Sequence, residues 1–358
     1  MRAALFYGPN DLRITNVKVD GNQSTENIML KTLSCSVCSY DVRTFRNGSF
    51  KVLPPVILGH EICAITIHDY ESSNFTIKSG TRVSVYPVIP CLNCWYCLNK
   101  KFNLCSNLKE IGSTLNGGFA EYISIPRKLF DIGGIVPVPD NVSNEQASLV
   151  EPLACCINGI NQIKSSNFES AFILGDGPIG LMQLMLLKKF FPKMKVVICG
   201  KIKHRLDSAK RIGADLTYLI NEKEDEIEVI NELKKSAGLN SPNLIFVSNN
   251  SASSIGLAAK MVNKNGKIVI FSGIKKSNGI ERPKLIDIDP NFIHYNQISI
   301  HGSFSSNPEN FREAMNLLHT KEIILQDLVT NIFSLKELEN ALLTAESFHG
   351  LKSIINKF

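Results

Sequence analysis

A glycine-rich turn between an apolar strand and a helix restricts the possible folds of this chain more than any other feature. The segment ILGDGPIGLMQLMLLKK places Gly175, Gly177 and Gly180 in G-x-G-x-x-G spacing, directly after the apolar run AFILG. The first glycine permits a tight turn, the second lets a pyrophosphate approach the backbone, and the third lets the helix pack closely on the strand. With Pro178 and Ile179 between the glycines, the turn predicts a dinucleotide-binding site. The alternative is a purely structural turn.

The residues after this turn alternate between strand-like and helix-like segments. The helical run LMQLMLLKKFF is followed by the strand KVVICG, the amphipathic segment HRLDSAKRIGAD, and the strands NLIFV, GKIVIFSG and ISIHGSF. Such alternation is typical of a parallel, doubly wound sheet. We therefore predict an α/β fold with a Rossmann domain over residues 154–303.

The first 150 or so residues follow a different pattern. Short strand-like runs such as NIMLKTLSC, RVSVYPVIP and FAEYISI are separated by turn residues, which predicts a β-rich domain. A chain of 358 residues has room for two domains of roughly 150 residues each. Spacing alone does not show which domain the residues after 303 join.

Composition limits the possible partners and the compartment. The net charge of +6 comes from scattered Lys and Arg residues, so no basic surface for nucleic acid is indicated. No apolar run reaches the roughly 18 residues of a membrane span, and the amino-terminal apolar stretch is too short for a signal peptide. We predict a cytoplasmic protein with a small-molecule substrate, whose ten cysteines stay reduced.

Four of these cysteines fall within the segment CLNCWYCLNKKFNLC. Cys91, Cys94, Cys97 and Cys105 have the spacing C-x2-C-x2-C-x7-C, which lets one chain wrap four thiolates around a tetrahedral ion. Four sulfur ligands leave no open position, so the cluster predicts a structural zinc site. An iron–sulfur cluster and metal-free thiols are the alternatives.

The residue that normally binds the adenosine ribose is absent from its usual place. A Rossmann domain that binds NAD expects Asp or Glu at the end of the second strand, but this chain has Gly200, followed by Lys201, Lys203, His204 and Arg205. A glycine makes room for a 2′-phosphate, and a lysine or arginine supplies its counter-charge. The segment predicts NADP(H) in preference to NAD(H), with Gly200, Lys201 and Arg205 as contacts. A solvated helix start is the alternative.

A second group of possible metal ligands comes from three separated segments, SCSVCSYDVRTFRNG, PPVILGHEICA and SLVEPLACCI. Cys38, His60, Glu61 and Glu151 carry side chains that zinc accepts, and three protein ligands with a replaceable water are the pattern of catalytic zinc. Spacing alone indicates only a possible site, because a buried cysteine and a helix-capping glutamate are ordinary structural residues.

The order of the motifs resembles that of the zinc-dependent medium-chain dehydrogenases/reductases of the alcohol dehydrogenase superfamily, especially the polyol (sorbitol-like) and threonine dehydrogenase branch. VCSYD is similar to the family's C-[GS]-[ST]-D, and LGHE, the cysteine cluster, GGFAEY, EPLA and GDGPIG match its other motifs in order. The resemblance runs nearly end to end. It implies a GroES-like catalytic domain over residues 1–153 and 304–358, with the active site in the cleft beside the Rossmann domain, and a homo-oligomer, either dimer or tetramer.

The same resemblance assigns ligands. It implies that Cys38 and His60 bind a catalytic zinc, that Glu151 binds it directly or through water, and that Glu61 is the alternative ligand. Asp41 would orient His60. Together with the structural site, this gives two Zn²⁺ per chain.

Three residues depart from the family pattern. Tyr40 stands where the family has a Ser or Thr that relays the proton, so it is either a modified relay or part of the pocket wall. Ala64 and Asn250 each replace a glycine, and the second replacement affects expected cofactor contacts near residues 249–251.

The resemblance implies hydride transfer between NAD(P)(H) and a secondary alcohol or ketone of a polyol, sugar or sugar phosphate. The alternatives are a threonine-type hydroxy amino acid dehydrogenase, a catalytically silent protein of the same fold, and a zinc-free quinone reductase. Arg43, Arg46 and Lys51 flank the Cys38 segment and are candidate phosphate contacts, with a solvated loop as the alternative. The other cysteines match no ligand position and are interpreted as packing residues: Cys35, Cys63, Cys155, Cys156 and Cys199.

Overall fold

The computed structural model describes residues 1–18, 26–71, 76–164, 168–221, 232, 233, 235, 241–274 and 288–358. These residues form two compact units, Met1–Ala154 with Ser305–Phe358, and Cys155–Phe304. The carboxy-terminal residues, whose location spacing alone left open and which the family resemblance assigned to the catalytic domain, lie with the amino-terminal, β-rich part.

The described elements follow one another along the chain in three groups. The first group is β1 Arg2–Gly8, β2 Asp11–Asn16, β3 Asn27–Ser36, α1 Ser39–Asn47, β4 Val56–Ile57, β5 Glu61–Thr66, β6 Tyr70–Glu71, β7 Thr76–Ile77, β8 Arg82–Val85, β9 Val88–Ile89, α2 Trp95–Leu98, β10 Lys109–Glu110, β11 Tyr122–Pro126, α3 Lys128–Asp131, β12 Ile135–Pro137, α4 Asn144–Ser148 and α5 Val150–Asn161. The second is β13 Ser170–Leu174, α6 Pro178–Phe190, β14 Lys195–Gly200, α7 Lys203–Ile212, β15 Leu216–Leu219, β16 Leu244–Val247, α8 Ala252–Met261, β17 Lys267–Ile270, α9 Pro290–Asn296 and β18 Ser299–Gly302. The third is α10 Pro308–His319, β19 Val329–Ser334, α11 Leu338–Glu346 and β20 Lys352–Lys357, and short 3-10 helices occur at Phe102–Leu104, Gln326–Leu328 and Leu335–Glu337.

The main sheet of the first unit is assembled from both ends of its sequence. Its described strands lie in the order β12-β8-β5-β3-β20-β19, and β11 also pairs with β3. The last strand, β20, runs antiparallel to β3, with Ile354 opposite Ser36 and Ile355 opposite Cys35. This pairing brings the start of β20 beside the loop that carries Cys38.

The sheet of the second unit has the order expected of a Rossmann domain. Its described strands are all parallel and lie in the order β15-β14-β13-β16-β17-β18. Counted within the unit, this is the 3-2-1-4-5-6 order of the dinucleotide-binding fold. Strands β13 and β16 are buried along their whole length because helices cover such parallel sheets on both faces. The predicted doubly wound sheet is confirmed.

The helices of the described residues are short. The longest, α6, has 13 residues and so is about 20 Å long, against a hydrocarbon core of about 30 Å. None of the helices described is long and apolar enough to cross a membrane.

Candidate active site and metal centres

The four clustered cysteines point their sulfur atoms at a common centre. The Sγ atom of Cys97 lies 3.9 Å from that of Cys91 and 3.5 Å from that of Cys94, which is 4.0 Å from that of Cys105. Four sulfurs placed about 2.3 Å from a tetrahedral zinc ion are separated by about 3.8 Å. The cluster therefore has the dimensions that a tetrathiolate zinc site requires.

Backbone N–H groups around this cluster favour the ionised form of one cysteine, whereas burial favours the protonated form of another. The N–H groups of Ser106 and Cys97 lower the pKa of Cys94 to about 6, whereas burial raises the pKa of Cys97 to about 12. Leu92 adopts a left-handed φ of 69°, which turns the chain back between the first two sulfurs. The buried thiol needs a bound cation to ionise at neutral pH, so metal binding and ionisation of this cluster depend on each other.

A second group of ligand atoms forms in the same unit. Cys38, His60 and Glu61 each offer one ligand atom, and these atoms all lie within 4.8 Å of one another. Cys38 directly precedes α1, and Glu61 is the first residue of β5. Among the residues described, Glu151 is not part of this group, although it lies in the first turn of α5 and is only 8% exposed. A thiolate, an imidazole and a carboxylate are a donor set that suits zinc.

Asp41 fixes the two segments that carry these ligands. Its side chain is fully buried, and its carboxylate accepts hydrogen bonds from the backbone N–H of Cys38 at 2.9 Å and of Gly59 at 3.2 Å. One of its oxygens also lies 3.6 Å from Nδ1 of His60. Burial alone would lower the pKa of His60, but the charges of Asp41 and Cys38 outweigh it and raise that pKa well above its usual value.

The glycine pair of the GGFAEY motif packs against the segment that precedes His60. Gly59 has a φ of +90°, which favours glycine, and a Cβ added at Gly117 would lie 2.2 Å from the carbonyl oxygen of Gly59. Only a residue without a side chain permits this approach. The two motifs are thus the two sides of one backbone contact that holds His60 in place.

Lys352 forms a buried ion pair with Glu61 that was not predicted from the sequence. Its Nζ lies 2.5 Å from Oε2 of Glu61 and also donates to the carbonyl of Val37 at 3.1 Å, and the two side chains are 6% and 1% exposed. Burial alone would lower the pKa of Lys352, but Glu61, Cys38 and Glu151 outweigh it and raise that pKa. A lysine inside the apolar run LKSIIN was the available signal, since a buried lysine needs a partner.

Tyr40 connects this site to two hydroxyl groups. Its ring lies edge-on to the imidazole of His60, with the ring centroids 5.9 Å apart. Its hydroxyl forms hydrogen bonds with Oγ of Ser113 at 3.0 Å and with Oγ of Ser49 at 3.2 Å. Tyr40 thus lies beside the ligand group, and its hydroxyl is hydrogen-bonded to two serine hydroxyls. Neither serine was predicted from the sequence.

Two of the basic residues considered as phosphate contacts already have acidic partners. Arg46 pairs with Glu346 at 2.6 Å, and Lys51 pairs with Glu110 at 2.9 Å. These ion pairs weaken the case for a substrate phosphate at either residue.

Two glycines of the GDGPIG turn are required by close backbone contacts, and the third leaves an open face. Gly175 has a φ of +142°, and a Cβ there would lie 2.9 Å from the carbonyl carbon of Ser248, at the end of β16. A Cβ at Gly180 would lie 2.0 Å from the carbonyl oxygen of Gly175, whereas a Cβ at Gly177 would meet nothing nearer than Arg205 Nη1 at 4.0 Å. Pro178 begins α6 and Ile179 follows it. The open face at Gly177, next to a helix N-terminus, fits a pyrophosphate.

The space beside Gly200 is not empty. A Cβ built there would lie 2.2 Å from both Cγ and Oδ2 of Asp176, the residue between the first two glycines of the turn. A carboxylate therefore occupies the room that the missing side chain leaves at Gly200, which removes the reason for expecting a phosphate there. Asp176 was not predicted as a site residue, since nothing local in the sequence relates residue 176 to residue 200.

The remaining buried cysteines have the properties of packing residues. Burial raises the pKa of Cys63 to about 12 and also raises the pKa of Cys35 and Cys199. The Sγ of Cys156 lies 3.8 Å from the carbonyl of Ile179. Protonated, buried thiols of this kind are unreactive.

Replacing Lys352 by methionine tests the buried ion pair. We expect Lys352→Met to lower the free energy of unfolding by about 3–5 kcal/mol, because the carboxylate of Glu61 stays buried without its cation. Urea denaturation followed by circular dichroism measures the change. Lys357→Met, on the exposed end of the same strand, is the matched control and should change stability by no more than about 0.5 kcal/mol. Equal midpoints for the two variants would contradict this account of the pair.

Comparison with known proteins agrees with this arrangement. The family described as the alcohol dehydrogenase GroES-like domain matches residues 24–140, and the zinc-binding dehydrogenase family matches residues 178–320. D-arabitol-phosphate dehydrogenase from Enterococcus avium is 28% identical over 88% of this chain and 86% of its own length. Sorbitol dehydrogenase from Bacillus subtilis is 27% identical over 97% of this chain and 94% of its own.

Two solved structures have the same fold. A zinc-binding dehydrogenase from Sinorhizobium meliloti, bound to NADP, superimposes with a TM-score of 0.86 at 24% identity, over 99% of this chain and 98% of that one. The alcohol dehydrogenase RspB from Escherichia coli, in complex with NADH, also gives a TM-score of 0.86 at 24% identity, over 99% of both chains. Both matched families are ones that the sequence motifs resemble, and this chain belongs to the zinc-binding dehydrogenases of the medium-chain alcohol dehydrogenase superfamily.

Proposed function

We propose that this enzyme transfers a hydride between NAD(P)(H) and the secondary alcohol or ketone of a polyol, sugar or sugar phosphate, with zinc in its active site. The observation that carries the proposal is the group formed by Cys38, His60 and Glu61, whose ligand atoms lie within 4.8 Å of one another. The names of two relatives support the substrate class, because they are a D-arabitol-phosphate and a sorbitol dehydrogenase. They favour a polyol over a hydroxy amino acid.

The residues of the ligand group would hold the metal as follows. Cys38 and His60 would bind zinc together with Glu61 or Glu151, and bound zinc would supply Lewis-acid stabilisation of the negative charge on the substrate oxygen. Asp41 lies on the Nδ1 side of His60 and keeps the imidazole oriented, as carboxylates beside ligand histidines do. Lys352 compensates the charge of Glu61 while that carboxylate does not bind a cation.

Tyr40 would carry the proton of the substrate hydroxyl. Its hydroxyl forms hydrogen bonds with Ser113 and Ser49. As Oη accepts the substrate proton it would pass its own proton to a serine hydroxyl, and Ser49, which is partly exposed, would release one to solvent. In this proposal Tyr40 replaces the Ser or Thr of the family pattern with a longer side chain that performs the same transfer.

Further features follow from family membership as proposals. We propose two Zn²⁺ per chain, one held by the four clustered cysteines and one by the Cys38 group. We also propose functional domains over residues 1–153, 154–303 and 304–358, assembly as a homodimer or homotetramer, and a cytoplasmic location. No disulfide links any of the ten cysteines, all of which lie in the described part of the chain, and unbridged cysteines are usual in a reducing compartment.

The choice between NADP(H) and NAD(H) is not decided by the relatives. One solved structure of this fold carries NADP and another carries NADH. The preference for NADP(H) predicted from Gly200, Lys201 and Arg205 has lost the support of an open space at Gly200, which Asp176 fills.

Metal analysis and a substrate panel test the proposal together. We expect about two zinc ions per chain by elemental analysis, and turnover of at least one polyol, sugar or sugar phosphate when both dinucleotides are supplied. One zinc per chain would leave only the cysteine cluster, and failure with the whole panel in zinc-loaded protein would point to a silent member of the family.

Two cysteine substitutions separate the two metal sites. Cys97→Ser should lower the thermal midpoint and remove one zinc, because the four-cysteine segment depends on its ion for order. Cys38→Ser should also remove one zinc but abolish turnover in a protein that remains folded. Zinc content, thermal unfolding and kcat are measured on both variants, and the reverse pattern would exchange the roles of the two sites.

Tyr40→Phe tests the proton relay. We expect kcat to fall on the order of 10²-fold, the usual contribution of a positioned acid–base group, while zinc content is unchanged. Ser113→Ala is the companion variant: it keeps the Tyr40 hydroxyl, removes its next partner, and should give a smaller fall. If Tyr40→Phe keeps kcat within about a factor of two, Tyr40 is a pocket wall and not a relay.

A further inference from the structure

We propose that Asp176 performs the task of the acidic residue missing from the end of β14: it binds the adenosine ribose hydroxyls and excludes a 2′-phosphate, so that this enzyme uses NAD(H) in preference to NADP(H). The inference rests on the dinucleotide binding proposed above and deepens it. It reverses the preference predicted from the sequence.

The side chain of Asp176 occupies the space that a side chain at position 200 would need. A Cβ at Gly200 would lie 2.2 Å from Cγ and Oδ2 of Asp176 and 2.3 Å from its Cβ, distances that no pair of side chains tolerates. A carboxylate therefore lies at the end of β14 although the strand itself contributes none. It comes instead from the turn between β13 and α6, and the glycine at 200 is what admits it.

The carboxylate of Asp176 is held in a fixed position. Its Oδ2 accepts the backbone N–H of Ile202 at 2.7 Å, directly beyond the strand. Ionised carboxylates accept several hydrogen bonds, so the other oxygen remains able to accept from ribose hydroxyls. Asp176 is 9% exposed, and such a charge is poorly screened by salt. A 2′-phosphate placed here would meet a like charge at short range.

Two of the basic residues that predicted NADP(H) already have acidic partners. Lys203 forms an ion pair with Asp207 one helical turn further on. Arg205 is 5% exposed, interacts electrostatically with Asp176, and approaches the turn at Gly177, where its Nη1 would be 4.0 Å from an added Cβ. In this position its guanidinium faces the place where the glycine turn receives the pyrophosphate.

Direct binding measurements on the full-length, zinc-loaded protein test the inference without knowledge of the substrate. Isothermal titration calorimetry with NAD⁺ and with NADP⁺ should show NAD⁺ binding at least about tenfold more tightly. Asp176→Asn keeps an oxygen for the Ile202 N–H but removes the charge, and it should lower the ratio of the two affinities at least about tenfold.

The matched control is Asp215→Asn. Asp215 accepts the backbone N–H of Val196 at 2.7 Å, at the opposite end of β14. The variant therefore removes the charge of a carboxylate that makes the same kind of backbone contact, but away from the proposed ribose site. This variant should leave the ratio within about twofold of that of the parent protein. A second variant, Asp176→Ala combined with Gly200→Asp, returns the carboxylate to the strand end and should restore a preference for NAD⁺.

The outcomes distinguish the inference from the function on which it rests. Absence of binding by either dinucleotide would reject dinucleotide binding itself, and the inference with it. Tighter binding of NADP⁺ by the parent protein, or an unchanged ratio in Asp176→Asn, would overturn the role of Asp176 and leave the proposed oxidoreductase intact. If Asp176→Asn does not fold, the parent ratio and the double variant still decide the question.

Discussion

The buried ion pair between Lys352 and Glu61 is the contact on which the candidate catalytic site depends. It joins the first residue of β20 to the first residue of β5, and it exists because β20 pairs with β3 beside the Cys38 loop. Buried pairs of this kind add little net stability, but loss of one partner is costly because the other charge remains buried. The pairing of β20 with β3 therefore also determines whether the charge of the ligand group is compensated.

The two candidate metal centres are built in opposite ways. The cysteine cluster takes its ligands from one segment of fifteen residues, so local turns alone place the four sulfurs. The Cys38 group takes its ligands from two segments of the chain. It needs Asp41 to tie those segments together and Gly117 to let a third segment pack against Gly59, next to His60. The first centre is therefore formed by local structure, and the second forms only when distant segments of the unit pack together.

This difference explains what the sequence could and could not predict. The Rossmann unit was predictable because alternating strands, helices and a spaced glycine turn are local patterns, and the cysteine spacing is equally local. The grouping of Cys38, His60 and Glu61 was expected only through resemblance to a family. Lys352 and Asp176 escaped prediction because each acts across a strand pairing, β20 on β3 and β13 on β14, which local periodicity does not encode. Ser113 escaped prediction as a partner of Tyr40 because 73 residues separate the two along the chain.

The interrupted sequence of the first unit has a consequence for the order in which the protein matures during translation. Glu61 and Lys352 are 291 residues apart, and the residues between them include the whole of the Rossmann unit, which is continuous in sequence. Domains generally fold as units while the chain is still being made. The nucleotide-binding unit can therefore be complete while Glu61 still lacks its counter-ion, and the buried charge of Glu61 is compensated only after β20 has left the ribosome.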